Sequence, residues 1–335
     1  MPAAPIAEGA PRAPAGETAG PAGGDRVPDG SSATATPDGA SPAGAASGPE
    51  APPIPAPGPD PAVAPASGAS GATEPKPARD RPWNWFGEVR LALVFLTILP
   101  IRLRPQDMSF GVSHAVRAFP IAGIPVGAAA ALAYAAADLA GLAPMISALL
   151  AVAAAAIMSG GLHEDGLADT ADGLGGGRTR EQRLAIMRDS RIGAFGALAL
   201  ILAIGLRVNV IGNLGVTADA VSALIGAAIA SRTAMATVMF LLPPARNDGL
   251  SHAAGIPDRS RTADSVMIGV LLTALALAYV AEPVTILAAM CGTAAGAVLP
   301  ALAARVRLGG QTGDVLGAVQ QCAEIGFLLV FIANP

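Results

Sequence analysis

GGLHEDGLADTADGLGGGRTREQRLAIMRDSRIGAFG, residues 160–196, is the stretch on which the reading of the chain turns. Its 37 residues hold six acids, five arginines, a glycine run and the one His with carboxylate neighbours, set between segments that are almost wholly apolar. Read as a helix, Asp165, Asp169 and Asp172 fall at i, i+4 and i+7, which places three carboxylates on one face about one turn apart. Like charges so spaced repel, more strongly when partly buried, and call for something positive. Carboxylate oxygens are hard ligands suited to Mg²⁺, which keeps some of its waters and shares its other positions with phosphates. Downstream, Arg178, Arg180, Arg183, Arg188 and Arg191 offer planar donors to phosphate oxygens. Metal on one side and arginines on the other is an arrangement for phosphoryl transfer. The plainer alternative is a solvated acidic helix joined to a basic loop at a membrane surface. The alanines and glycines around the acids weigh against it, because a solvated face would carry mixed charges.

Familiar motifs fail within this stretch. His163-Glu164 opens like the zinc-protease pattern, but its second His would fall at Leu167. The run from Gly173 to Arg178 lacks Gly-Lys-Ser/Thr and is no nucleotide P-loop, and no Gly-x-Gly-x-x-Gly sits between a strand and a helix. The glycines either let backbone approach a phosphate or end a helix.

Outward from the stretch, seven apolar segments are each near the ~20 residues of a bilayer crossing: about 119–138, 142–160, 194–214, 219–241, 265–281, 284–303 and 315–333. A hydrophobic share of 52%, 14% charged residues and a mean hydropathy of +0.52 are too apolar for an ordinary soluble protein. A net charge of −4 gives no case for nucleic-acid binding. Cys291 and Cys322 lie inside apolar segments and read as small core residues, neither a disulfide nor a metal site. Before the first segment, Trp83, Trp85 and Phe86 precede a short apolar run from Leu91 to Ile101, flanked by Arg79, Arg81 and Arg90 and by Arg102 and Arg104. That predicts an interfacial or re-entrant helix anchored by tryptophans. Residues 1–82 hold 19 of the chain's 30 prolines and no aromatic residue, so they are read as a disordered tail and not as a secretory signal. The expected organisation is therefore a tail, 1–82, and an all-α integral membrane domain, 83–335: a polytopic helical bundle of about seven spans plus the N-terminal helix.

The connecting loops divide by charge. One set carries Arg102, Arg104 and Arg117, then the five arginines of the central stretch, then Arg246, Arg259 and Arg261, then Arg305 and Arg307; the set around Gly141, Gly215 and Glu282 carries none. By the positive-inside rule the arginine-rich loops are cytoplasmic. The polar clusters then share one side: the central stretch, Pro244 to Arg261 with Arg246, Asp248, Ser251, His252 and Asp258, and Gly309 to Asp314. A site at the cytoplasmic mouth of the bundle is the economical reading. Arg207 and Arg232 sit within apolar segments, where lipid exposure costs about 2.5 kcal/mol or more, so each should face the interior and a partner. For Arg232 a substrate phosphate or a carboxylate is favoured over a structural ion pair. His114 reads as interface packing, and His252 stays open.

GGLHEDGLADTADGLGGG, then MRDSRIGAFG, then Ser231-Arg232, then GGQTGDVLGA make a pattern, in that order, that resembles the cobalamin synthase family, the adenosylcobinamide-GDP ribazoletransferases. The likeness covers roughly Phe86 to Phe331 and leaves the tail outside. It implies a multi-pass inner-membrane enzyme with its active site facing the cytoplasm and a requirement for Mg²⁺. Its substrates would be adenosylcobinamide-GDP and α-ribazole or its 5′-phosphate, with GMP released. The lipid bilayer and other cobalamin-pathway enzymes would be its partners. His163, Glu164, Asp165, Asp169 and Asp172 match the family's acidic block, Arg188, Asp189, Ser190 and Arg191 its second block, and Thr312, Gly313 and Asp314 its last. The resemblance makes Asp165, Asp169 and Asp172 the metal ligands, and His163, Glu164 and Asp165 the catalytic candidates. Glu164 is the less favoured base because helical geometry turns it from the Asp face. Substrate binding falls to Arg188, Asp189, Ser190, Arg191, Arg232, Arg246, Thr312 and Asp314. Gln320 and Gln321 stand where some relatives have an acid, which leaves Glu324 as the only carboxylate there.

Two other readings compete. Enzymes that transfer a phospho-alcohol from a CDP-linked donor use an Asp-Gly-x-x-Ala motif, and Asp165-Gly166-Leu167-Ala168-Asp169 looks like its opening, but Asp169 stands where that family has Arg and the later paired aspartates are missing. A transporter could use Asp165 to Asp172 as an ion site, although transport sites tend toward the midplane and these acids lie in a loop region.

Overall fold

The structure is a computed structural model that describes residues 84–108 and 111–334. The tail 1–82 and Trp83 lie outside the described residues. The domain begins with α1 (Trp85–Leu96), α2 (Pro105–Met108), α3 (Val112–Ala115) and a 3-10 turn, Val116–Ala118, that runs into α4 (Phe119–Leu139). Then come α5 (Pro144–Met158), α6 (Leu162–Gly176), α7 (Arg180–Ile186), α8 (Ala194–Gly212), α9 (Thr217–Leu241), α10 (Gly249–Ala254), α11 (Arg259–Leu277), α12 (Pro283–Arg307) and α13 (Gly313–Ile332). Among the described residues the one extended pairing is an isolated bridge between Pro244 and Gln311. The chain is an all-α, multi-pass membrane protein, as the apolar segments predict.

Each expected span has its helix. Six are long and apolar enough to cross a membrane alone, and the seventh crossing needs α5 and α6 together, bent at 91°. Two helices outrun their apolar segments. α11 begins six residues early because Asp258 caps it, its carboxylate accepting from the Arg261 N–H at 2.8 Å, and α12 continues through Arg305 to Arg307. Hydropathy finds the lipid-buried part of a helix and misses turns that continue into water.

The bundle is apolar outside and small or polar inside. Leu132, Ile157, Ile201, Leu271, Leu287 and Leu299 are exposed, as they are when lipid is the solvent, while alanine, serine and threonine fill much of the interior. α9 is the central helix and packs against α4, α11, α12 and α13. It approaches α4 closely because Gly123 and Gly127 lie at the contact: a Cβ on Gly127 would come within 2.7 Å of the Ile225 backbone.

The N-terminal helix is placed differently from the apolar run that suggested it. α1 starts at Trp85, with Asn84 accepting from the Gly87 N–H at 3.1 Å, and ends before Thr97. This start buries Glu88, which binds Arg117 and, at 2.9 Å, Arg261. Arg90 grips buried Asp107 at 2.7 and 2.8 Å and lowers its carboxyl to about 2. Arg117 also lies 5.2 Å from the centre of the Trp85 ring. These arginines therefore tie α1 to the bundle through buried acids as well as contributing to the basic flank.

Candidate active site

α5 and α6 meet at Gly160 and Gly161, both in the left-handed region (φ +66° and +69°), which glycine enters without a Cβ penalty. The turn carries α6 across the arginine-rich end of the bundle. Along its acidic face exposure falls with position: Asp165 is exposed, Asp169 half-buried and Asp172 buried. The three acids are therefore not equivalent.

Asp172 has a defined task. Its two oxygens accept from the N–H groups of Gly193 at 2.7 Å and Gly196 at 2.8 Å, at the start of α8. A Cβ at either glycine would collide with the carboxylate, which accounts for the spacing Gly193-Ala-Phe-Gly196. The side chain expected from sequence as a third metal ligand thus also anchors the start of α8. Asp172→Ala would orphan two N–H groups. It is expected to lower stability by about 3 kcal/mol, read as a fall in melting temperature in detergent, with a smaller loss for Asp172→Asn. Unchanged melting with activity lost would show that Asp172 acts in turnover and not as an anchor.

Asp165 and Asp169 remain at the mouth, where Asp314 joins them from the first turn of α13. Asp165, Asp314 and Asp172 are the acids whose charges bear on Asp169, opposed by Arg246. Among the described residues neither Asp165 nor Asp169 has a hydrogen-bond donor. Asp314 accepts from Arg246 at 3.0 Å and from the Thr312 hydroxyl at 3.2 Å, while the Thr312 oxygen caps α13 by accepting from the Val315 N–H. α6 reaches α13 through Gly166 and Gly317: a Cβ on Gly166 would come 2.7 Å from the Asp314 carbonyl oxygen. Gly166→Ala must push the two helices apart and with them Asp165 from Asp314. Turnover is expected to fall by about a hundredfold, since displacements of about 1 Å cost that much. Activity within threefold of wild type would show that the two acids need not be close.

The arginine side of the mouth is built from loops. Ala245 N–H donates to the Gln311 carbonyl and Gln311 N–H to the Pro243 carbonyl, both at 2.8 Å. Arg180 clamps this pair by donating to the carbonyls of Leu308 and Ala245. Arg188 holds Asp248 at 2.5 and 2.6 Å. Arg180, Arg188, Arg246 and Asp248 line a cavity of about 300 Å³, and Arg246 and Asp248 also line one of about 130 Å³ that reaches Thr312 and Asp314. The Arg246 Nε is buried without an acceptor among the described residues. Guanidinium groups thus stand beside the acids, as an anionic substrate held against a cation would need. A cavity of about 490 Å³ at the opposite helix ends, beside Asp219 and Glu282, has no arginine in its lining.

Other predicted residues lie elsewhere. Arg191 is exposed and paired with Asp189, whose carboxyl it lowers to about 2, and Ser190 is exposed beside them. Glu164 turns inward, away from the acidic mouth. It accepts from Gln321 at 3.1 Å and lies 3.5 Å from Arg207. Arg232 is 1% exposed, donates to the Ala228 carbonyl at 3.1 Å and lies 3.9 Å from Glu324. Arg207 lies 3.4 Å from Glu324, and Gln320 bridges Glu324 to Ser231. Glu324, the one carboxylate that the sequence reading left beside Gln320 and Gln321, is the hub of this buried layer. The signal was present in the sequence: two intramembrane arginines require carboxylates, and Glu324 lies inside an apolar segment. His163 is 1% exposed, neither ring nitrogen has a partner among the described residues, and it lines a cavity beside Asp165 and Asp314.

Among the described residues no three His, Cys, Asp or Glu side chains converge closely enough to hold a metal between them. Mg²⁺ does not need that many, because one or two carboxylates, waters and substrate phosphates suffice. Asp165 and Asp169, without donors and among like charges, fit such a site.

Fold and site together define a polytopic helical membrane protein with an acid-and-arginine mouth of the phosphoryl-transfer kind. The sequence profile of cobalamin-5-phosphate synthase matches residues 88–332. Adenosylcobinamide-GDP ribazoletransferases of Bradyrhizobium diazoefficiens and Mesorhizobium japonicum are each 44% identical, over 75% and 74% of this chain and 95% and 94% of theirs. That of Azorhizobium caulinodans is 42% identical over 72% of this chain and 94% of its own. No solved structure matches the chain. The chain belongs to the cobalamin-5-phosphate synthase family.

Proposed function

We propose that the chain transfers the adenosylcobinamide-phosphate moiety of adenosylcobinamide-GDP to α-ribazole or its 5′-phosphate with release of GMP, that it requires Mg²⁺, and that its acidic mouth faces the cytoplasm from the inner membrane. The family carries the reaction. The observation that supports its placement is the pair Asp165 and Asp169, which no donor reaches among the described residues, near Arg246 of the arginine-lined cavity. The arginine-rich loops support the orientation.

A ribazole hydroxyl oxygen forms the new bond to the phosphorus that carries the corrinoid's aminopropanol oxygen. The bond from that phosphorus to the bridging oxygen breaks, and this oxygen departs on GMP with its electron pair. The hydroxyl proton passes to His163, the candidate base that lines the cavity beside Asp165, and then to solvent. Arg246 and Arg188 hold phosphate charge, and Asp314, itself held by the Thr312 hydroxyl, keeps Arg246 in place. Asp165 and Asp169 would hold Mg²⁺, which when bound would neutralise the diphosphate and the departing oxygen.

The test supplies purified protein in lipid vesicles with adenosylcobinamide-GDP, α-ribazole 5′-phosphate and Mg²⁺, and separately with CDP-linked alcohols. Corrinoid product with GMP is expected. Product from CDP-linked donors alone, or none from folded protein, would overturn the assignment.

A further inference from the structure

The cavity beneath the acidic mouth has a character that the transferred phosphate does not explain. Its volume is about 100 Å³, and its walls are Phe95 of α1, Phe119 at the start of α4, and Met235 and Met239 in the last turns of α9. Phe95 and Phe119 lie with ring centres 6.3 Å apart and planes 21° from parallel. Among the described residues the lining turns polar at one end, where His163, Asp165 and Asp314 meet it. Among the described residues the two ring nitrogens of buried His163 have no partner there. All these residues lie at helix ends on the arginine-rich side, so the cavity opens toward the same mouth.

An apolar slot with aromatic and thioether walls suits a flat, weakly polar ring, because sulfur and ring faces gain by contact with an aromatic system. Of the ring systems in the proposed reaction, guanine brings several donors and acceptors that this slot would leave unpaired, at a large cost. A benzimidazole bears one unsubstituted ring nitrogen and is otherwise apolar. The geometry points to this cavity as the acceptor subsite: it takes the benzimidazole of α-ribazole between Phe95, Phe119, Met235 and Met239, and so presents the ribose hydroxyl to His163 and Asp165 at its polar end. This rests on the proposed transferase reading. It divides the substrates, with the aromatic acceptor base in the apolar cavity and the GMP part on the arginine side.

Two variants test it. Met239→Ala removes a wall, and Ala254→Leu adds bulk to the lining. Binding of α-ribazole without donor is measured by equilibrium dialysis, and both KM values are measured in turnover. Met239→Ala is expected to weaken α-ribazole binding and raise its KM roughly tenfold, with the KM for adenosylcobinamide-GDP unchanged. Ala254→Leu is expected to reject α-ribazole, whose benzimidazole carries two ring methyl groups, yet keep benzimidazole riboside, which lacks them; a general folding defect would not produce that reversal. Unchanged α-ribazole binding in both variants, or a change in donor KM alone, would overturn the subsite while wild-type turnover left the transferase reading standing. Absence of wild-type turnover together with size-selective α-ribazole binding would leave the subsite standing and overturn the reaction.

Discussion

Glu324→Ala is expected to destabilise the folded protein by about 3–5 kcal/mol, the usual cost of removing one side of a buried ion pair. Its two oxygens face Arg207 at 3.4 Å and Arg232 at 3.9 Å, and both guanidinium groups are 2% exposed. Glu164 lies 3.5 Å from Arg207 and can compensate only one of them. The loss would also free Gln320, which donates to Glu324 at 2.5 Å and to Ser231 at 3.0 Å, so α8, α9 and α13 share the defect. A fall in melting temperature in detergent would report it. Restoring part of the loss with Glu324→Leu combined with Arg207→Met would show that uncompensated charge, and not lost packing, is responsible. Wild-type melting in Glu324→Ala would disprove the hub.

Asp169→Asn is expected to act in the opposite sense. Asp169 sits in the field of Asp165, Asp314 and Asp172, and among the described residues no hydrogen-bond donor reaches it. Removing its charge relieves repulsion, so the free protein should melt no lower than wild type and somewhat higher at low salt. Turnover should fall on the order of 10²–10³-fold, the range for losing one preorganised electrostatic element of a transition state. Better stability with worse catalysis marks a site strained for function. A variant both inactive and unstable would mean that Asp169 is structural.

The spans were legible because lipid makes one demand, that about 20 residues in a row be apolar, and the charge of the loops supplied their alternation. What hydropathy missed lay at helix ends, where Asp258 starts α11 in water and α12 runs on to Arg307. The site was half legible. Spacing placed three acids on one face of α6, but it could not show that the face runs from the exposed mouth at Asp165 to the buried start of α8 at Asp172. That difference depends on a partner 21 residues further along the chain. Likewise the need of Arg207 and Arg232 for carboxylates was readable, whereas their convergence on Glu324 depends on how α8, α9 and α13 pack. Asp189, Ser190 and Arg191, which a sequence motif groups with the site, form a charged cluster at the surface beside Arg188, an exposure that spacing alone did not show.

The measurement that bears most directly on the account is a Mg²⁺ titration of GMP release in proteoliposomes supplied with adenosylcobinamide-GDP and α-ribazole 5′-phosphate, with Asp169→Asn beside wild type. Wild type should release one GMP per corrinoid product, saturate with Mg²⁺ and stop with chelator, while the folded variant stays near background. Full GMP release in chelator, or an unimpaired variant, would contradict the acid pair at the mouth of α6 as the seat of the reaction.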